Sequence, residues 1–298
     1  MTDLQFPDYS ADVCNGTLPQ KIIKAFQTFV FDYYTAHGRH DMIWRHTDDP
    51  YRITVSEIML QQTQVPRVET IYPKFIERFP TIDALADAAE ADVLAAWQGM
   101  GYNRRALSLQ KLCRIVRDTY NGVFPQNPEE LVKLPGIGPA TSCSIAAFAF
   151  NRPVVFIETN IRRIYIHCFF RTQTEVDDAD LLPLVTATLP QDRAREWYWA
   201  LMDLGSAMKP VAGNPNRKSR QYVKQSAFNG STRQIRGAIL KRMLAAGSGD
   251  VNDLAEELKC PAAQISALME TMAGEGFFVR ESPTRFRVTG ANDPKTDR

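Results

Sequence analysis

One segment constrains this chain more than any other: a glycine-bounded turn, an apolar helix and then a carboxylate, residues 134–164, LPGIGPATSCSIAAFAFNRPVVFIETNIRRI. Gly136 and Gly138 allow the backbone to approach a partner closely, and the helix after them begins with unsatisfied N–H donors. A helix N-terminus also carries partial positive charge, so it suits a phosphate. We therefore predict phosphate contacts at Gly136, Gly138 and Thr141.

The charge distribution says more than the net charge. The chain of 298 residues has a formal charge of +1 and 44% hydrophobic residues, enough for one large domain or two. Residues 204–249 contain no Asp or Glu. That window carries nine basic residues, Lys209, Arg217, Lys218, Arg220, Lys224, Arg233, Arg236, Lys241 and Arg242. It indicates a polyanion partner, with a solvated surface loop as the alternative.

The cysteines and the N-terminal residues indicate the cellular compartment. Cys14, Cys113, Cys143, Cys168 and Cys260 show no metal-ligand spacing, which predicts reduced thiols of a cytosolic protein. The first residues, MTDLQFPDYSADV, lack the basic-then-apolar pattern of a signal peptide. With no apolar run of membrane-spanning length, we expect a cytoplasmic protein with no membrane partner.

Helical periodicity dominates the first 212 residues. Helices are predicted over 18–38, on both sides of Pro66, over 81–101, over 103–122, on both sides of the 134–138 turn, and over 178–190 and 192–208. Only VVFI, residues 154–157, and the C-terminus have an extended pattern. Near residue 230 a different module begins, with three helices and a hairpin around Ser282-Pro283, which is similar to a winged helix.

Two carboxylates have contrasting surroundings. Glu57 is flanked by apolar Ile58, Met59 and Leu60, so desolvation is expected to raise its pKa. Glu158 has polar neighbours and two following arginines, Arg162 and Arg163, which are expected to favour the anion. One protonated and one ionised carboxylate suffice for glycosidic bond cleavage. Either one alone would be interpreted as a surface or helix-capping group, but the motifs around them favour catalysis.

The motif SEIMLQQTQV and the preceding MIWR closely resemble the adenine DNA glycosylases of the MutY type, within the helix-hairpin-helix superfamily related to endonuclease III. The resemblance covers residues 20–225 and assigns Glu57 as the acid that protonates adenine. It places Trp44, Arg45, Leu60, Val65 and Asn160 around the base pocket. It makes Gln62 and Tyr102 (in GMGYN) wedges in the duplex, a typical device for holding a flipped base.

The resemblance also implies the fold. We expect an all-α, two-lobed helix-hairpin-helix glycosylase over residues 1–225, with a six-helix lobe at about 51–155 and a second lobe from 1–50 plus 156–225. A winged-helix-like domain is expected over 226–298. In the family the hairpin carbonyls often hold a monovalent cation against a DNA phosphate, which stays open for Leu134–Gly138. Double-stranded DNA with a mispaired or damaged base is the expected partner of a monomer.

Four departures from the family pattern bear on function. The catalytic acid of the family is an aspartate, and here it is Glu158. The Schiff-base lysine of bifunctional relatives is Ala140, which argues against strong lyase activity. The four [4Fe–4S] cysteines are replaced by Lys209, Asn216, Ser219 and Gln225, so no cluster is expected, although the basic residues Arg217, Lys218 and Arg220 still suit phosphate. The winged-helix-like module stands where relatives carry a Nudix-like domain.

The sequence therefore predicts a monofunctional DNA glycosylase of base excision repair that flips adenine from a mispair and hydrolyses its N-glycosidic bond. Glu158 would stabilise the cationic sugar or form a transient covalent bond. One alternative is a glycosylase for another damaged or mismatched base. Another is a non-catalytic mismatch-binding or regulatory protein with a decayed site. The preferred base opposite the adenine is open.

Overall fold

A computed structural model describes residues 5–223 and 228–291. These residues are predominantly helical, as predicted. In chain order the helices are α1 Gln20–His37, α2 Pro50–Leu60, α3 Val65–Arg78, α4 Ile82–Ala86, α5 Glu90–Ala96, α6 Arg104–Tyr120, α7 Pro128–Leu131, α8 Pro139–Phe150, α9 Thr159–Phe169, α10 Asp178–Thr188, α11 Ala194–Ala212, α12 Thr232–Ala246, α13 Val251–Leu258 and α14 Ala262–Gly274. The strands are β1 Ser248–Asp250, β2 Phe278–Arg280 and β3 Arg285–Val288.

The chain forms two compact units. The first contains the described residues up to Ile53, Pro125–Lys133 and the chain from Ile137 to residue 223. The second contains Thr54–Phe124, Leu134–Gly136 and the described residues from 228 onward.

The first unit is built around a buried aromatic cluster. Phe26 of α1 makes edge contacts with Tyr165 and Phe169 of α9 and with Trp197 of α11. All four rings are at most 2% exposed. Aromatic side chains of this size bury large apolar areas and gain further from edge-to-face packing. This cluster fixes α9, the helix that begins next to Glu158, against α1 and α11.

The second unit contains α3 to α6, and here the prediction of one helix over 81–101 is wrong. Thr81 caps α4, because its side chain accepts a hydrogen bond from the Ala84 N–H. The chain then breaks between α4 and α5. Side chains of α6 bind the carbonyls that the break exposes: Gln110 donates to Leu85 and Ala88, and Arg114 donates to Ala86. The break is stabilised from a distant helix.

The C-terminal part of the second unit contains the predicted three helices and hairpin. It also contains β1, which the sequence pattern did not reveal. The three strands form an antiparallel sheet in the order β1-β3-β2. Helix α12 contacts α5, so this part packs against the helices of residues 54–124.

The units divide the chain differently from the predicted domains. Helix α8 was expected in the six-helix lobe, but Ala147 and Phe148 lie in the core of the first unit. Residues 228–291, expected as a separate domain, group with residues 54–124. The predicted boundary at residues 225 and 226 lies outside the described residues. The VVFI segment, 154–157, has no strand pairing.

No helix in the described part of the chain combines the length and apolar character needed to cross a membrane.

Candidate active site

Glu158 is the N-cap of α9. Its Oε1 accepts hydrogen bonds from the backbone N–H groups of Asn160 at 2.7 Å and Ile161 at 2.9 Å. Its Oε2 accepts a longer bond, 3.3 Å, from the Asn160 side-chain amide. An acidic side chain at this position satisfies orphan donors and faces the positive end of the helix dipole. The carboxylate is therefore held in one orientation by the backbone of the helix that follows it.

The environment of Glu158 differs from the sequence-based expectation. Burial raises the pKa of the Glu158 carboxyl, and the lowering effects of the Ile161 and Asn160 N–H groups and of Arg163 and Arg162 do not reverse this. The two arginines do favour the anion, as expected, but burial outweighs them, so the net change in the pKa is upward. Arg162 pairs with Asp178 at 2.6 Å, and Arg163 donates to the Asn160 side chain at 2.9 Å.

Hydrogen bonds and close packing from other segments of the first unit hold the first turn of α9 in place. The Asn216 side-chain amide donates to the Thr159 carbonyl at 2.8 Å. Arg163 donates to the Gly205 carbonyl of α11. A β-carbon built on Gly205 would lie 2.5 Å from the Asn160 carbonyl oxygen, so only glycine permits this helix approach. These contacts fix Asn160, a predicted pocket residue, beside Glu158.

Glu57 lies near the C-terminal end of α2 and belongs to the second unit, whereas Glu158 belongs to the first. Its side chain is half-buried, and the following Ile58 and Met59 are fully buried. Two of the three apolar residues that follow Glu57 in the motif therefore belong to the core. Leu60 and Val65, two predicted pocket residues, are half-buried at the end of α2 and the start of α3.

Arg105 organises the loops after α2 and before α6, and sequence reasoning missed it. Its guanidinium donates to the carbonyls of Ile58 at 2.7 Å, Met59 at 3.0 Å and Gly101 at 3.0 Å. It also donates to four further acceptors, which are the carbonyls of Gln61, Met100 and Tyr102 and the hydroxyl of Thr63. Burial lowers the pKa of Arg105 to about 10. One buried cation thereby ties both predicted wedge loops to the end of α2.

A sequence signal for Arg105 existed. Arg105, Leu109, Leu112 and Val116 share the spacing of one helix face, and the three apolar members mark that face as buried. A charged residue in such a stripe must find several partners, because an unpaired buried charge is costly.

The two predicted wedge residues protrude from these loops. Gln62 is exposed and has φ of 54°; Tyr102 is 38% exposed and has φ of 45°. Residues other than glycine adopt this left-handed region rarely, and such strain concentrates at functional sites. The structure thus presents both side chains at tight turns that Arg105 holds.

Trp44 and Arg45 lie in the first unit. Trp44 is buried, and Arg45 forms a two-point ion pair with Asp203, with N–O distances of 2.7 and 2.9 Å. Arg39 binds the same carboxylate. Burial raises the pKa of Asp203, but the hydrogen bonds and charges of Arg45 and Arg39 outweigh it, so the net pKa is lowered. Asp203, which the sequence analysis did not single out, fixes the predicted pocket arginine.

The geometry of the hairpin turn requires glycine at one of its two glycine positions. Gly136 has φ of 82° and a β-carbon there would lie 3.1 Å from the Ser108 side chain. Gly138 has ordinary backbone angles, and a β-carbon there would meet no described atom within 4 Å. Open space at Gly138 leaves room for an external partner at the start of α8. Thr141, in the first turn of that helix, is half-buried.

The loop after α11 folds through hydrogen bonds. Val176 donates to the Lys218 carbonyl at 2.8 Å, and Arg220 donates back to the Val176 carbonyl at 3.1 Å. The Lys218 ammonium binds the Arg171 carbonyl, and Arg220 pairs with Glu175. Of the three predicted phosphate contacts in this loop, two have protein partners, and Arg217 is exposed.

The positions that correspond to cluster ligands do not fit an iron–sulfur cluster. Lys209 is exposed, Asn216 binds Thr159, and the Ser219 hydroxyl donates to Gln221. Amide, hydroxyl and ammonium groups do not replace thiolate ligands. Gln225 lies outside the described residues. Among the described residues, no group of three or more His, Cys, Asp or Glu side chains is arranged to hold a metal ion.

The chain is similar to known DNA glycosylases. A family model described as "HhH-GPD superfamily base excision DNA repair protein" matches residues 55–180. An adenine DNA glycosylase from Mycobacterium tuberculosis is 31% identical over 288 residues, which cover 87% of this chain and 91% of that protein.

An adenine DNA glycosylase from Buchnera aphidicola subsp. Baizongia pistaciae is 35% identical over 191 residues, which cover 64% of this chain and 54% of that protein. The chain therefore spans about half the length of that relative. A solved structure described as a thermostable thymine-DNA glycosylase superposes with a TM-score of 0.55 and 26% identity, over 62% of this chain and 87% of that one.

Proposed function

Because the chain belongs to the adenine DNA glycosylases of the HhH-GPD superfamily, we propose that it releases adenine from mispaired double-stranded DNA by hydrolysing the N-glycosidic bond. The reaction needs a flipped nucleotide, a proton for the departing base and stabilisation of a cationic sugar. We assign the proton to Glu57 and the stabilisation of the sugar to Glu158, acting as an anion or through a transient covalent bond.

The observation that carries this proposal is the capping geometry of Glu158. Both backbone N–H groups bind Oε1, whereas the one bond that Oε2 receives from a described residue is the 3.3 Å contact from the Asn160 amide. A carboxylate anchored through one oxygen keeps the other oriented for charge that develops on a substrate. Such preorganisation is an effective source of transition-state stabilisation. The capping bonds also support a glutamate in this role, since the helix start sets the position of its carboxylate.

The remaining residues take supporting roles in the proposal. Gln62 and Tyr102 wedge the duplex, and Trp44, Arg45, Leu60, Val65 and Asn160 surround the flipped base. The start of α8, with Gly136, Gly138 and Thr141, binds a phosphate, assisted by a monovalent cation on the hairpin carbonyls. Arg217, Lys218 and Arg220 add basic contacts. The enzyme acts without an iron–sulfur cluster, as a monomer on chromosomal DNA of the nucleoid in the cytoplasm.

Absence of the lysine nucleophile supports a monofunctional enzyme. The corresponding residue, Ala140, is exposed in the first turn of α8 and offers no amine for a Schiff base. We expect base release without strand cleavage by this route.

One alternative function has structural support, namely action on a base other than adenine. The solved thymine-DNA glycosylase shares the fold at 26% identity, so the architecture alone does not select adenine. The retention of Glu57 and Trp44 in adenine-type motifs favours adenine. A binding protein without turnover is the third possibility, and it predicts mismatch affinity with no product.

The deciding experiment is single-turnover base release. Duplexes carrying adenine opposite G, 8-oxoguanine, C or T are incubated with excess protein, and abasic sites are revealed with heat and alkali. Adenine release from at least one duplex supports the proposal, and the ranking gives the opposite-base preference. Release of thymine or uracil from a parallel panel, with none of adenine, would assign the alternative substrate. Binding without any product would indicate the non-catalytic protein.

A further inference from the structure

The second unit contains a large cavity beside the predicted wedge residues. Its volume is about 1060 Å³, and all its lining residues lie in that unit. Gln62 and Tyr102 line it together with residues of α12 and α14. Pockets for small ligands span roughly 300–1000 Å³, so a nucleotide fits in a cavity of this size.

The cavity is strongly basic. Six of its lining residues are basic (Arg67, Arg104, Arg105, Arg233, Arg236 and Lys241), and one, Glu275, is acidic. Arg105 binds loop carbonyls, and Arg236 pairs with Glu275. Arg67 and Lys241 are exposed, so their charges are accessible to a ligand. Three of these basic residues, Arg233, Arg236 and Lys241, belong to the acid-free segment 204–249, and the proposed reaction gives them no role.

Two exposed aromatic rings accompany these charges. Phe228 is 58% exposed and Tyr102 is 38% exposed, and both line the cavity. Arg233 of α12 donates a hydrogen bond of 2.5 Å to the Tyr102 hydroxyl, and its guanidinium lies 5.6 Å from the ring centroid. The C-terminal module therefore reaches the wedge residue directly. Aromatic platforms interleaved with cations are the chemistry with which proteins bind unpaired nucleotides.

We propose that this cavity binds an unpaired nucleotide of a DNA strand, with its base on Phe228 and Tyr102 and its phosphate on Lys241 and Arg67. The inference rests on the proposed function, since the strand is the one that Gln62 and Tyr102 open. The C-terminal module then serves as the second wall of a single-strand site at the wedge. A free nucleotide has the same chemistry as one in a strand, and the test must separate these sources.

The test measures binding of a fluorescein-labelled thymidine oligonucleotide of about ten residues to the full chain by anisotropy, across a salt series. Phe228→Ala should weaken binding about tenfold, because stacking on an aromatic ring contributes about 1–3 kcal/mol per base. It should leave the salt dependence unchanged. Lys241→Ala should reduce the slope of log K against log salt by about 0.7, the value for one phosphate contact in single strands.

Arg242→Ala is the matched control. Arg242 is the next residue on α12, is exposed, pairs with Glu257 and does not line the cavity. It should change neither affinity nor slope. Circular dichroism melting verifies that each variant is folded.

The possible outcomes are distinct. If Phe228→Ala and Lys241→Ala bind like wild type, or if Arg242→Ala weakens binding equally, the cavity is not the site. If thymidine monophosphate binds the cavity as tightly as the oligonucleotide does, the ligand is a free nucleotide and the strand assignment is overturned. Base release by wild type is measured in parallel. Its absence beside the expected binding pattern would contradict the proposed function and leave the binding site in place.

Discussion

Gly205 of α11 packs against the backbone of Asn160 so closely that a β-carbon would lie 2.5 Å from the Asn160 carbonyl oxygen and 2.7 Å from its Cβ. Both are closer than real β-carbons approach. Asn160 donates its backbone N–H to Glu158, so this helix contact also fixes the candidate catalytic carboxylate. Packing between α9 and α11 is thereby coupled to the geometry of the site.

Gly205→Ala should therefore reduce both stability and activity. The added methyl group forces α9 and α11 apart, at a cost of about 1–3 kcal/mol in the free energy of unfolding. Displacing Glu158 by about 1 Å lowers base release on the order of a hundredfold. Urea unfolding and single-turnover release measure the two effects. Gly274→Ala, in a helix with open space around the glycine, is the control and should be neutral or stabilising. Normal activity in Gly205→Ala would contradict the coupling.

Arg105→Ala should destabilise the second unit and loosen the wedge loops. It removes a buried cation that binds seven acceptors and leaves several buried carbonyls unpaired, which costs on the order of 3 kcal/mol. The control is Arg104→Ala, because its side chain is 73% exposed and should contribute less than about 0.5 kcal/mol. Chemical denaturation measures stability, and hydrogen exchange reports on the residues around Gln62 and Tyr102. Equal effects of the two substitutions would refute the role of Arg105.

Glu57→Gln should abolish base release while duplex binding persists. The amide keeps the size of the side chain but cannot donate the proton, and loss of general acid catalysis costs about 10² to 10⁴-fold in rate. Gel-shift affinity for an adenine mispair should stay within about twofold, a free-energy change of less than roughly 0.5 kcal/mol. Glu69→Gln, an exposed glutamate of α3, is the control for both assays. Parallel loss of binding in a folded Glu57→Gln protein would assign a structural role.

The sequence predicted most helices because their signals are local. Asp177 and Asp180, for example, form a capping box at the start of α10, and Asn121 ends α6 in the left-handed conformation. What the sequence missed depends on distant partners. The break between α4 and α5 is stabilised by Gln110, and Arg45 is neutralised by Asp203, 158 positions away. No periodicity encodes such pairs.

The sequence motifs predict which residues form the candidate site, but they do not predict the direction of the pKa shift of Glu158. The sequence places Arg162 and Arg163 next to Glu158, but the fold directs both towards other acceptors. Burial of Glu158 depends on segments far along the chain, such as Asn216 and α11. A pKa direction inferred from neighbours in sequence therefore had the wrong sign.

Asp203→Asn should destabilise the first unit at neutral pH, and the destabilisation should be smaller at acidic pH. The substitution leaves Arg45, whose side chain is 5% exposed, without its anion, at a cost of about 3 kcal/mol. The pKa of Asp203 is lowered in the folded state, so its stabilisation is present above the ordinary aspartate pKa and is lost as pH falls through the folded pKa. Urea unfolding at pH 7, 5 and 3 should show the wild-type advantage shrinking at the lowest pH. Asp32→Asn, at an exposed position of α1, should show no such trend.

Glu158→Gln should stabilise the protein at alkaline pH while removing base release. Because burial raises the pKa of Glu158, the folded protein holds this proton more tightly than the unfolded chain does. The associated stability is complete below the ordinary glutamate pKa and is lost as pH rises through the raised pKa. Glutamine can still accept the N–H bonds of Asn160 and Ile161, so it keeps the cap without the cost of ionisation. The melting temperature of the variant should therefore exceed that of wild type at pH 8 and approach it near pH 4.

Glu158→Asp keeps the carboxylate at this position and shortens the side chain, so it tests side-chain length apart from charge. Aspartate is a preferred N-cap, so this variant should fold as wild type does. Its carboxylate is one methylene shorter, and a displacement of about 1 Å should lower base release on the order of a hundredfold. Single-turnover release from adenine mispairs measures this directly. Faster release by Glu158→Asp than by wild type would show that the start of α9 does not hold the glutamate carboxylate in its best position for catalysis.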